Sequence, residues 1–309
     1  MDDDELIPAP IPELTAPYRT EARLALQERA RRFAMDEVKP IADELDPQKL
    51  EMPRSLVEAM GREGWFGLMV AEEYGGMGHG VFEYAMVAEE LARAWMSVAS
   101  ILARSQGLGT EFEDEAKQRE LLERSARGEW IGAAGFSEPD AGSDLAGVST
   151  RAELYGDEFV IAGSKRWIGN AKAADFIQLL CRTDDPKPGE KRAAGLATII
   201  VEKERGAFPD GLTGTTIDKI GYHGFLTWDL TFAGVRVPVA NKVSGKGTSA
   251  FRDTQKWLNI ARVHTAARAV GLARAAVEDS VLYLQEREQF GHPIGDFQAL
   301  RFMLASMAA

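Results

Sequence analysis

The ten residues from Gly135 to Asp144 constrain this chain more than any other segment. They read Gly-Phe-Ser-Glu-Pro-Asp-Ala-Gly-Ser-Asp, a run that suits neither a buried strand nor a helix interior. Gly142 frees the backbone to approach a neighbour closely, and the hydroxyls of Ser137 and Ser143 can donate hydrogen bonds. Two interpretations follow from the residues alone: a loop that wraps a polar ligand, or a turn-rich connector between domains.

Hydrophobic periodicity divides the chain into three parts. After a Pro-rich segment of about 16 residues, helical spacing extends to about Glu129, strands separated by glycines and prolines follow, and helical spacing returns from about Phe251. The predicted domains are residues 1–129, 130–240 and 241–309. The predicted fold class is therefore α+β with several domains. An N-terminal helical domain is followed by a middle β-domain and a C-terminal helical domain.

Two helix boundaries can be predicted within the first part. A helix that begins near Arg23 should end at Lys39-Pro40, because proline disfavours helical backbone in the residue before it. The largely apolar run from Val81 to Arg104 predicts one long helix.

Composition excludes some classes of function. The formal net charge of −12 argues against a general nucleic-acid binder, although local arginines and lysines can still bind phosphates. Cys181 is the only cysteine, so the chain forms no internal disulfide, which suits a reducing compartment. Because Cys181 ends the apolar run that starts at Phe176, we predict that it lies in the core.

The sequence also favours a cytoplasmic location. Its first residues, Met1 to Glu5, are acidic and lack the basic flank and apolar stretch of a signal peptide. No apolar run approaches the length that spans a bilayer. His79, His223 and His292 show no metal-ligand spacing, so we predict no metal site.

Further motifs follow the loop in a recognisable order. Lys165–Asn170 is centred on a tryptophan, and Glu286–Gly291 is an Arg-Glu-Gln-Phe-Gly turn. Shorter matches occur at Glu72–Gly78, Glu89–Arg93 and Val235–Pro238. Together and in this order they resemble the acyl-CoA dehydrogenase family over nearly the whole chain.

The resemblance implies a fold and a reaction. The middle domain is expected to be an antiparallel β-barrel, and the C-terminal helical bundle is expected to be incomplete, leaving an uncovered apolar face. The family oxidises an acyl-CoA thioester to the trans-2-enoyl-CoA with FAD and passes electrons to an electron-transfer flavoprotein. A homotetramer or dimer is expected, with no nucleic-acid or membrane partner.

The same resemblance assigns residues to the flavin. Phe136 and Ser137 lie against its ring, Trp167 covers it, and Ser143 contacts the cofactor or the CoA portion. Gly142, Ile168 and Gly169 complete this set. Gly169 departs from the family pattern, because many members carry Thr or Ser there with a hydroxyl that contacts flavin N5. A core position remains the alternative for Trp167.

Other matching positions lie towards the C-terminus. Arg287, Gln289 and Phe290 match the turn that reaches the FAD of a neighbouring subunit, since the planar fork of arginine suits a pyrophosphate. Gln298 matches a position near the adenosine. The position of Asn259 matches one that helps to seat CoA.

Arg262 and Arg93 each keep two interpretations. Arg262 matches a position that seats CoA, or it pairs with an acid on a neighbouring helix. Arg93 matches the arginine that holds a distal carboxylate in glutaryl-CoA dehydrogenase, or it lies on an ordinary amphipathic helix.

The catalytic base is not identified. In most of the family it is a glutamate that would follow Ala309, and in a minority it occupies the position of Ala261, which cannot accept a proton. His264 lies nearby with a suitable intrinsic pKa, but its helical offset favours a packing role.

Two alternatives to the dehydrogenase stay open. An acyl-CoA oxidase or a flavin monooxygenase of the same fold is the first, because Gly169 puts the electron acceptor in question. A non-catalytic fragment or interaction subunit that binds partners through an uncovered helical face is the second.

Overall fold

The computed structural model describes residues 18–243 and 250–309. The acidic N-terminus discussed above lies outside these residues. Within them the three-part fold class is confirmed: helices come first, then a β-domain, then helices again.

Six helices form the N-terminal part. Their bounds are α1 (Glu21–Phe33), α2 (Lys39–Leu45), α3 (Arg54–Arg62), α4 (Val81–Ala94), α5 (Met96–Leu102) and α6 (Glu115–Ala126). Thr20 caps α1 by accepting a hydrogen bond from Arg23 N, and Asp114 caps α6 in the same manner. Their apolar faces enclose one core whose fully buried members include Trp65, Phe66 and Leu91.

Both predicted boundaries in this part are wrong. The first helix passes through a π-helical segment, Ala34–Val38, and continues as α2, because Pro40 occupies the first turn of α2, where proline is tolerated. The long helix after Val81 is broken at Trp95, whose backbone is extended. The indole nitrogen of Trp95 donates to Asp46 Oδ1 at 2.9 Å, which fixes the side chain at the break.

Eight strands form the sheet of the middle part. They are β1 (Gly132–Gly135), β2 (Arg151–Tyr155), β3 (Glu158–Gly169), β4 (Phe176–Arg182), β5 (Leu196–Glu202), β6 (Leu212–Thr216), β7 (Thr227–Pro238) and β8 (Lys242–Val243). They pair in the order β6-β7-β3-β2-β4-β5-β8, and β1 adds to β4.

The sheet corrects the predicted antiparallel barrel in two respects. The backbone hydrogen bonds of the described strands leave the sheet open, with β6 and β8 at its edges. The pairings of β1 and β2 with β4 are parallel rather than antiparallel.

The sheet packs on both faces. One face carries the core of the β-domain, with Ile161, Leu179 and Cys181 fully buried, so the predicted core position of Cys181 is confirmed. Burial raises the pKa of the Cys181 thiol to about 12, although Lys165 acts in the opposite direction. The other face of β4 and β5 meets the helices.

The C-terminal part is dominated by one helix. Helix α7 (Ala250–Glu286) is followed by a hairpin of β9 (Glu288–Gln289) and β10 (His292–Pro293), and then by α8 (Gln298–Ala308). The predicted uncovered apolar face is present in the described residues. Large exposed apolar side chains on these elements are Val263, Val270, Leu272, Tyr283, Phe290, Phe302, Met303 and Met307.

A buried ionic network joins α7 to α4. Arg274 donates to Glu89 Oε1 at 2.7 Å and to Glu90 Oε2 at 2.6 Å. Gly271, one turn earlier, lets the helices approach, because an added Cβ would lie 2.2 Å from the Glu89 carbonyl oxygen. The network therefore fixes α7 across the N-terminal helices.

Candidate functional site

A buried ion pair holds the loop that follows β1. Lys165 Nζ, fully buried on β3, donates to Glu138 Oε1 at 2.9 Å and to the carbonyl oxygens of Phe136 and Leu180 at 3.0 and 2.7 Å. Burial raises the pKa of Glu138, but the Lys165 charge and hydrogen bonds from Ser149 and Thr150 outweigh it and lower the pKa to about 2. The loop is thus anchored to the sheet by charge.

A bulge in β3 places Trp167 beside this loop. The register between β3 and β7 shifts between Lys165 and Ile168, and Trp167 has a φ of +65° and is 57 % exposed. Left-handed backbone in a bulky residue is rare and often marks a ligand site. Arg166 N donates to the Ser137 carbonyl oxygen at 2.9 Å, which ties the bulge to the loop.

Phe136, Ser137 and Trp167 are therefore brought together. Phe136 is buried and its ring meets Trp257 of α7 edge-on, with centroids 5.5 Å apart. The half-buried Ser137 hydroxyl has no hydrogen-bond partner within the described part of the chain. An indole with an exposed face and an unused hydroxyl suit a flat polar ligand such as a flavin ring.

Gly169 lies at the inner end of the same strand. A Cβ at this position would lie 2.8 Å from Phe225 Cε2 and 3.2 Å from an Arg104 guanidinium nitrogen. These two side chains therefore account for the glycine where many family members carry Thr or Ser. Ile168, between Gly169 and Trp167, packs into the core of the β-domain rather than facing this space.

Gly142 and Ser143 lie further along the loop and are exposed. An added Cβ on Gly142 would meet nothing within 4 Å, so this chain itself does not require a glycine there. Asp144 next to them forms an exposed ion pair with Arg192 at 2.7 Å. This part of the loop stays open to a ligand or to a second chain.

A cavity of about 310 Å³ lies where the three parts meet. Its wall comes from Tyr84 and the segment after α5, from β4 and β5, and from the first turns of α7. The residues that line it are Met69, Tyr84, Ala103, Ser105, Gln106, Gly107, Leu108, Gly109, Glu111, Gln178, Thr198, Val243, Asp253, Thr254, Lys256, Trp257, Ile260 and Ala261. Ala261, the site of the base in a minority of the family, thus faces the cavity.

Two carboxylates reach this cavity, and the sequence did not single them out. Glu111 is exposed as a residue, but partial burial of its carboxyl group raises its pKa, the charge of Asp253 raises it further, and Lys256 opposes both. A carboxyl group with a raised pKa in a cavity is suited to proton transfer. In the sequence, Glu111 is distinguished only by its position just after the glycine-rich segment Gly107–Gly109.

His264 has a packing role. It is buried, stacks on Tyr84 with centroids 4.8 Å apart, and its Nε2–H donates to the Ala99 carbonyl oxygen at 2.9 Å. Burial lowers the pKa of His264 to about 3, the charges of Arg268 and Arg104 lower it further, and the Ala99 carbonyl raises it. The imidazole is therefore neutral in the folded chain.

This neutral histidine makes stability depend on pH. In the unfolded chain His264 is protonated below about pH 6.5, whereas in the folded chain it is protonated only below about pH 3. The free energy of unfolding therefore decreases as the pH falls through this window. We expect His264→Gln to reduce by about 2 kcal/mol the loss of unfolding free energy between about pH 7.5 and about pH 5. Urea titrations at both pH values measure it, and equal losses in both proteins would contradict it.

Comparison with known proteins identifies the family. The N-terminal, middle and C-terminal domain models of acyl-CoA dehydrogenase match residues 20–129, 133–235 and 247–309. A 3-(aryl)acrylate reductase of Clostridium sporogenes is 37% identical, over 94% of this chain and 76% of its own length. This chain belongs to the acyl-CoA dehydrogenase family.

Other family members extend the comparison. The (2S)-methylsuccinyl-CoA dehydrogenase of Cereibacter sphaeroides is 35% identical over 92% of this chain, which spans only 53% of that relative. The solved complex of glutaryl-coenzyme A dehydrogenase with glutaryl-CoA superposes with a TM-score of 0.83 at 33% identity, covering 94% of this chain and 73% of that one.

Asn259 and Arg262, which match CoA-seating positions of the acyl-CoA dehydrogenases, are exposed neighbours on α7. Arg262 Nη1 donates to Asn259 Oδ1 at 2.6 Å. One interpretation of Arg262 is an ion pair with an acid on a neighbouring helix. The described residues provide no such acid partner. Asn259 borders a second, shallow cavity of about 450 Å³ beside His79, on the outer side of α7.

Arg93 lies away from the central cavity of this acyl-CoA dehydrogenase. It is largely buried and pairs with Glu278 of α7, while its other nitrogen contacts Met35. It is absent from the cavity wall. The amphipathic-helix interpretation therefore fits its surroundings, because its guanidinium group is already paired with Glu278.

The turn after α7 is remote from the flavin-ring residues. Phe290 and Gly291 have φ values of +58° and +82°, the pattern of a type I′ hairpin, and Phe290 is 89 % exposed. Arg287, Gln289 and Gln298 are exposed around it. From Trp257, which touches Phe136, to this turn the helix rises about 45 Å.

Membrane-spanning helices and clusters of metal ligands are both absent from the described residues. None of the helices within 18–243 and 250–309 is both long and apolar enough to cross a membrane. In the same residues no group of three or more His, Cys, Asp or Glu side chains has the arrangement of a metal site.

Proposed function

We propose that this chain is the main part of an FAD-dependent acyl-CoA dehydrogenase that converts an acyl-CoA to the trans-2-enoyl-CoA. The observation that carries the proposal is the bulge at Trp167, held against Ser137 by the hydrogen bond from Arg166 N. It presents an exposed indole and an unused hydroxyl at one place on a rigid sheet. Relatives with CoA-ester names support the same class of substrate.

The chain's own residues would bind and orient the cofactor. Ser137 would donate to the polar edge of a flavin ring, Trp167 would cover one face, and Phe136 would limit it on the side of α7. FAD supplies the acceptor for the hydride that leaves the β-carbon. The charged clamp of Lys165 and Glu138 keeps the loop fixed, so that these contacts need no rearrangement.

The cavity beside these residues would hold the acyl group. Its wall contains Tyr84, Leu108 and Trp257, and their apolar surface excludes water from the reacting carbons. Loss of an α-proton beside a thioester is easier where the developing charge meets fixed dipoles in such a space.

Two positions for the proton acceptor are consistent with this proposal. The first is the glutamate that serves as the base in most of the family, which is not identified among the described residues. The described cavity provides the carboxyl group of Glu111, whose pKa is raised by burial. The variant Glu111→Gln separates the two, because it abolishes proton abstraction only if Glu111 is the base.

A second copy of the chain would complete the flavin site. The ring residues and the turn with Arg287, Gln289 and Phe290 are separated by about 45 Å of helix α7, more than one dinucleotide cofactor spans. The turn and Gln298 would therefore contact the FAD of a partner in a dimer or tetramer. Exposed Phe290 and Phe302 fit such an interface.

The electron acceptor is proposed to be an electron-transfer flavoprotein. An acyl-CoA oxidase is the second candidate because of Gly169. Phe225 and Arg104 fill the space in which other family members carry the hydroxyl group of Thr or Ser. Rapid oxygen consumption with an acyl-CoA, without any flavoprotein acceptor, would favour the oxidase.

The test is the visible absorption spectrum of the purified chain after incubation with FAD, followed by anaerobic addition of butyryl-CoA or glutaryl-CoA. We expect a bound-flavin spectrum that bleaches. Trp167→Ala should weaken FAD binding about tenfold, because the indole face is lost. Tyr155→Ala, which removes an equally exposed aromatic ring on β2, should leave it unchanged.

The possible outcomes separate the hypotheses. A chain that binds no FAD at any concentration would contradict the proposal and favour a non-catalytic interaction subunit. Bound flavin that never bleaches with any CoA ester would support a cofactor-binding chain whose base lies elsewhere.

A further inference from the structure

We propose that Arg104 and Arg268 form a binding site for a second carboxylate on the acyl group, so that the preferred substrates are CoA esters of dicarboxylic acids. This inference rests on the proposed function, because it assigns a specificity site within the same cavity region. It places the carboxylate recognition on the segment after α5 and on α7, and not on Arg93.

Arg104 is a buried cation without an acidic partner. Its Nε is inaccessible and has no hydrogen-bond partner, and no described Asp or Glu forms an ion pair with it. Burial lowers the pKa of Arg104, Tyr222 and Tyr84 oppose this, and the neighbouring Arg268 charge adds to it. The residue as a whole is partly buried, and one guanidinium nitrogen lies 3.2 Å from the position that a Cβ on Gly169 would take.

Arg268 reinforces the positive charge. Its nitrogens donate to the Tyr222 hydroxyl at 2.8 Å and to Thr265 Oγ1 at 3.1 Å, and its Nε is buried without a partner. Both partners are neutral hydroxyl groups. His264, which lies near both arginines, supplies no counter-charge.

Three other arginines that are buried or partly buried are paired with acids. Arg274 is paired with Glu89 and Glu90, Arg93 with Glu278, and Arg205 with Asp175. The chain carries 48 acidic residues against 36 basic ones, so acids are not scarce. Two neighbouring, partly buried cations without a counter-charge cost stability, and this cost is offset when an anion binds between them.

Neither arginine is among the residues that line the central cavity, but Arg104 lies between two that do, so a carboxylate at the end of an acyl group is the ligand we assign to the pair. Arg104 lies against Gly169 at the inner end of the strand that carries Trp167, and its neighbours Ala103 and Ser105 line the central cavity together with Tyr84. The cavity of about 310 Å³ is at the small end of ligand pockets and suits an acyl chain. The phosphates of CoA carry the same charge chemistry and are the competing source that the experiment must distinguish.

The experiment compares glutaryl-CoA with pentanoyl-CoA, which have equal chain lengths and differ by a terminal carboxylate. Dissociation constants are measured by calorimetry on the FAD-loaded chain and its variants. We expect glutaryl-CoA to bind about 10- to 100-fold more tightly. Arg104→Met should abolish this preference and leave pentanoyl-CoA binding unchanged, and Arg268→Met should reduce it.

A stability measurement guards against misfolding. Without ligand, Arg104→Met should melt at or above the temperature of the parent chain, since an unpaired interior charge has been removed. Arg236→Met, which removes an exposed arginine on β7, should keep the full preference for glutaryl-CoA. Inorganic phosphate should compete with glutaryl-CoA only weakly.

Each contrary result has a distinct meaning. Equal affinity for the two esters in the parent chain would overturn the carboxylate site and leave the proposed function intact. An Arg104→Met variant that loses both esters equally, or that melts lower, would assign Arg104 to CoA phosphates or to packing and would also overturn it. If neither ester binds, the proposed function fails as well.

Discussion

Lys165→Met is expected to lower the free energy of unfolding by about 3–5 kcal/mol. The substitution leaves the Glu138 carboxylate buried without its cation and removes the donor to the carbonyl oxygens of Phe136 and Leu180. Each of these groups loses a partner in a place that water does not reach. Chemical denaturation at neutral pH measures the change.

The matched control is an exposed ion pair made by Asp144 of the same loop with Arg192. Arg192→Met breaks the ion pair with Asp144, which has a shorter distance of 2.7 Å but side chains 67 % and 63 % exposed. Exposed pairs contribute less than about 1 kcal/mol, so this variant should be nearly as stable as the parent. Equal destabilisation by both substitutions would mean that burial is not the source of the Lys165 effect.

Acid should weaken the buried pair in a defined window. Because the folded-state pKa of Glu138 is about 2, its contribution is complete above its ordinary value of 4.5 and is lost as the pH falls towards 2. The His264 window begins near pH 6.5 and extends to about pH 3, so His264 acts alone between pH 6.5 and 4.5 and the two windows overlap below pH 4.5.

Phe176→Ala is expected to cost about 3–5 kcal/mol of unfolding free energy. The Phe176 ring is fully buried, stacks on Trp130 with centroids 4.5 Å apart, and occupies a slot between Gly109 and Gly132. A Cβ on either glycine would lie within 2.3 Å of the ring, so the slot has no spare room and truncation leaves a cavity.

Thermal and chemical unfolding of Phe176→Ala measure this cost. Leu154→Ala on β2 is the control, since Leu154 is 58 % exposed and its truncation should change stability by less than about 0.5 kcal/mol. A Phe176→Ala chain that unfolds like the control would show that the helical and β parts do not depend on this contact.

The sequence predicted those features that depend on local pattern. Residue type and spacing predict the loop at Gly135–Asp144, the turn at Phe290 and the three-part fold, because these features depend on residues that are close together in the sequence. The break at Trp95 could not be predicted, because it depends on a hydrogen bond to Asp46 from a distant helix. The open order of the sheet likewise depends on pairing between strands far apart in the chain.

The candidate site was predicted only in part. Trp167 and Ser137 were found from a motif, but the clamp between Glu138 and Lys165 joins residues 27 positions apart and leaves no local signal. Arg104 looks ordinary in the sequence, because what distinguishes it is the absence of a neighbouring acid in space. Motifs identify groups that act together in known proteins, whereas unpaired charge appears only in three dimensions.

The link between Arg274 and the paired glutamates on α4 has a consequence for biosynthesis. The interacting residues are 184 and 185 positions apart, so the ribosome needs roughly 10–40 s to make the chain between them. For that interval the face of α4 that carries Glu89 and Glu90 has no covering helix. In the nascent chain this acidic face of the N-terminal domain therefore remains uncovered until α7 has been synthesised and packs against it.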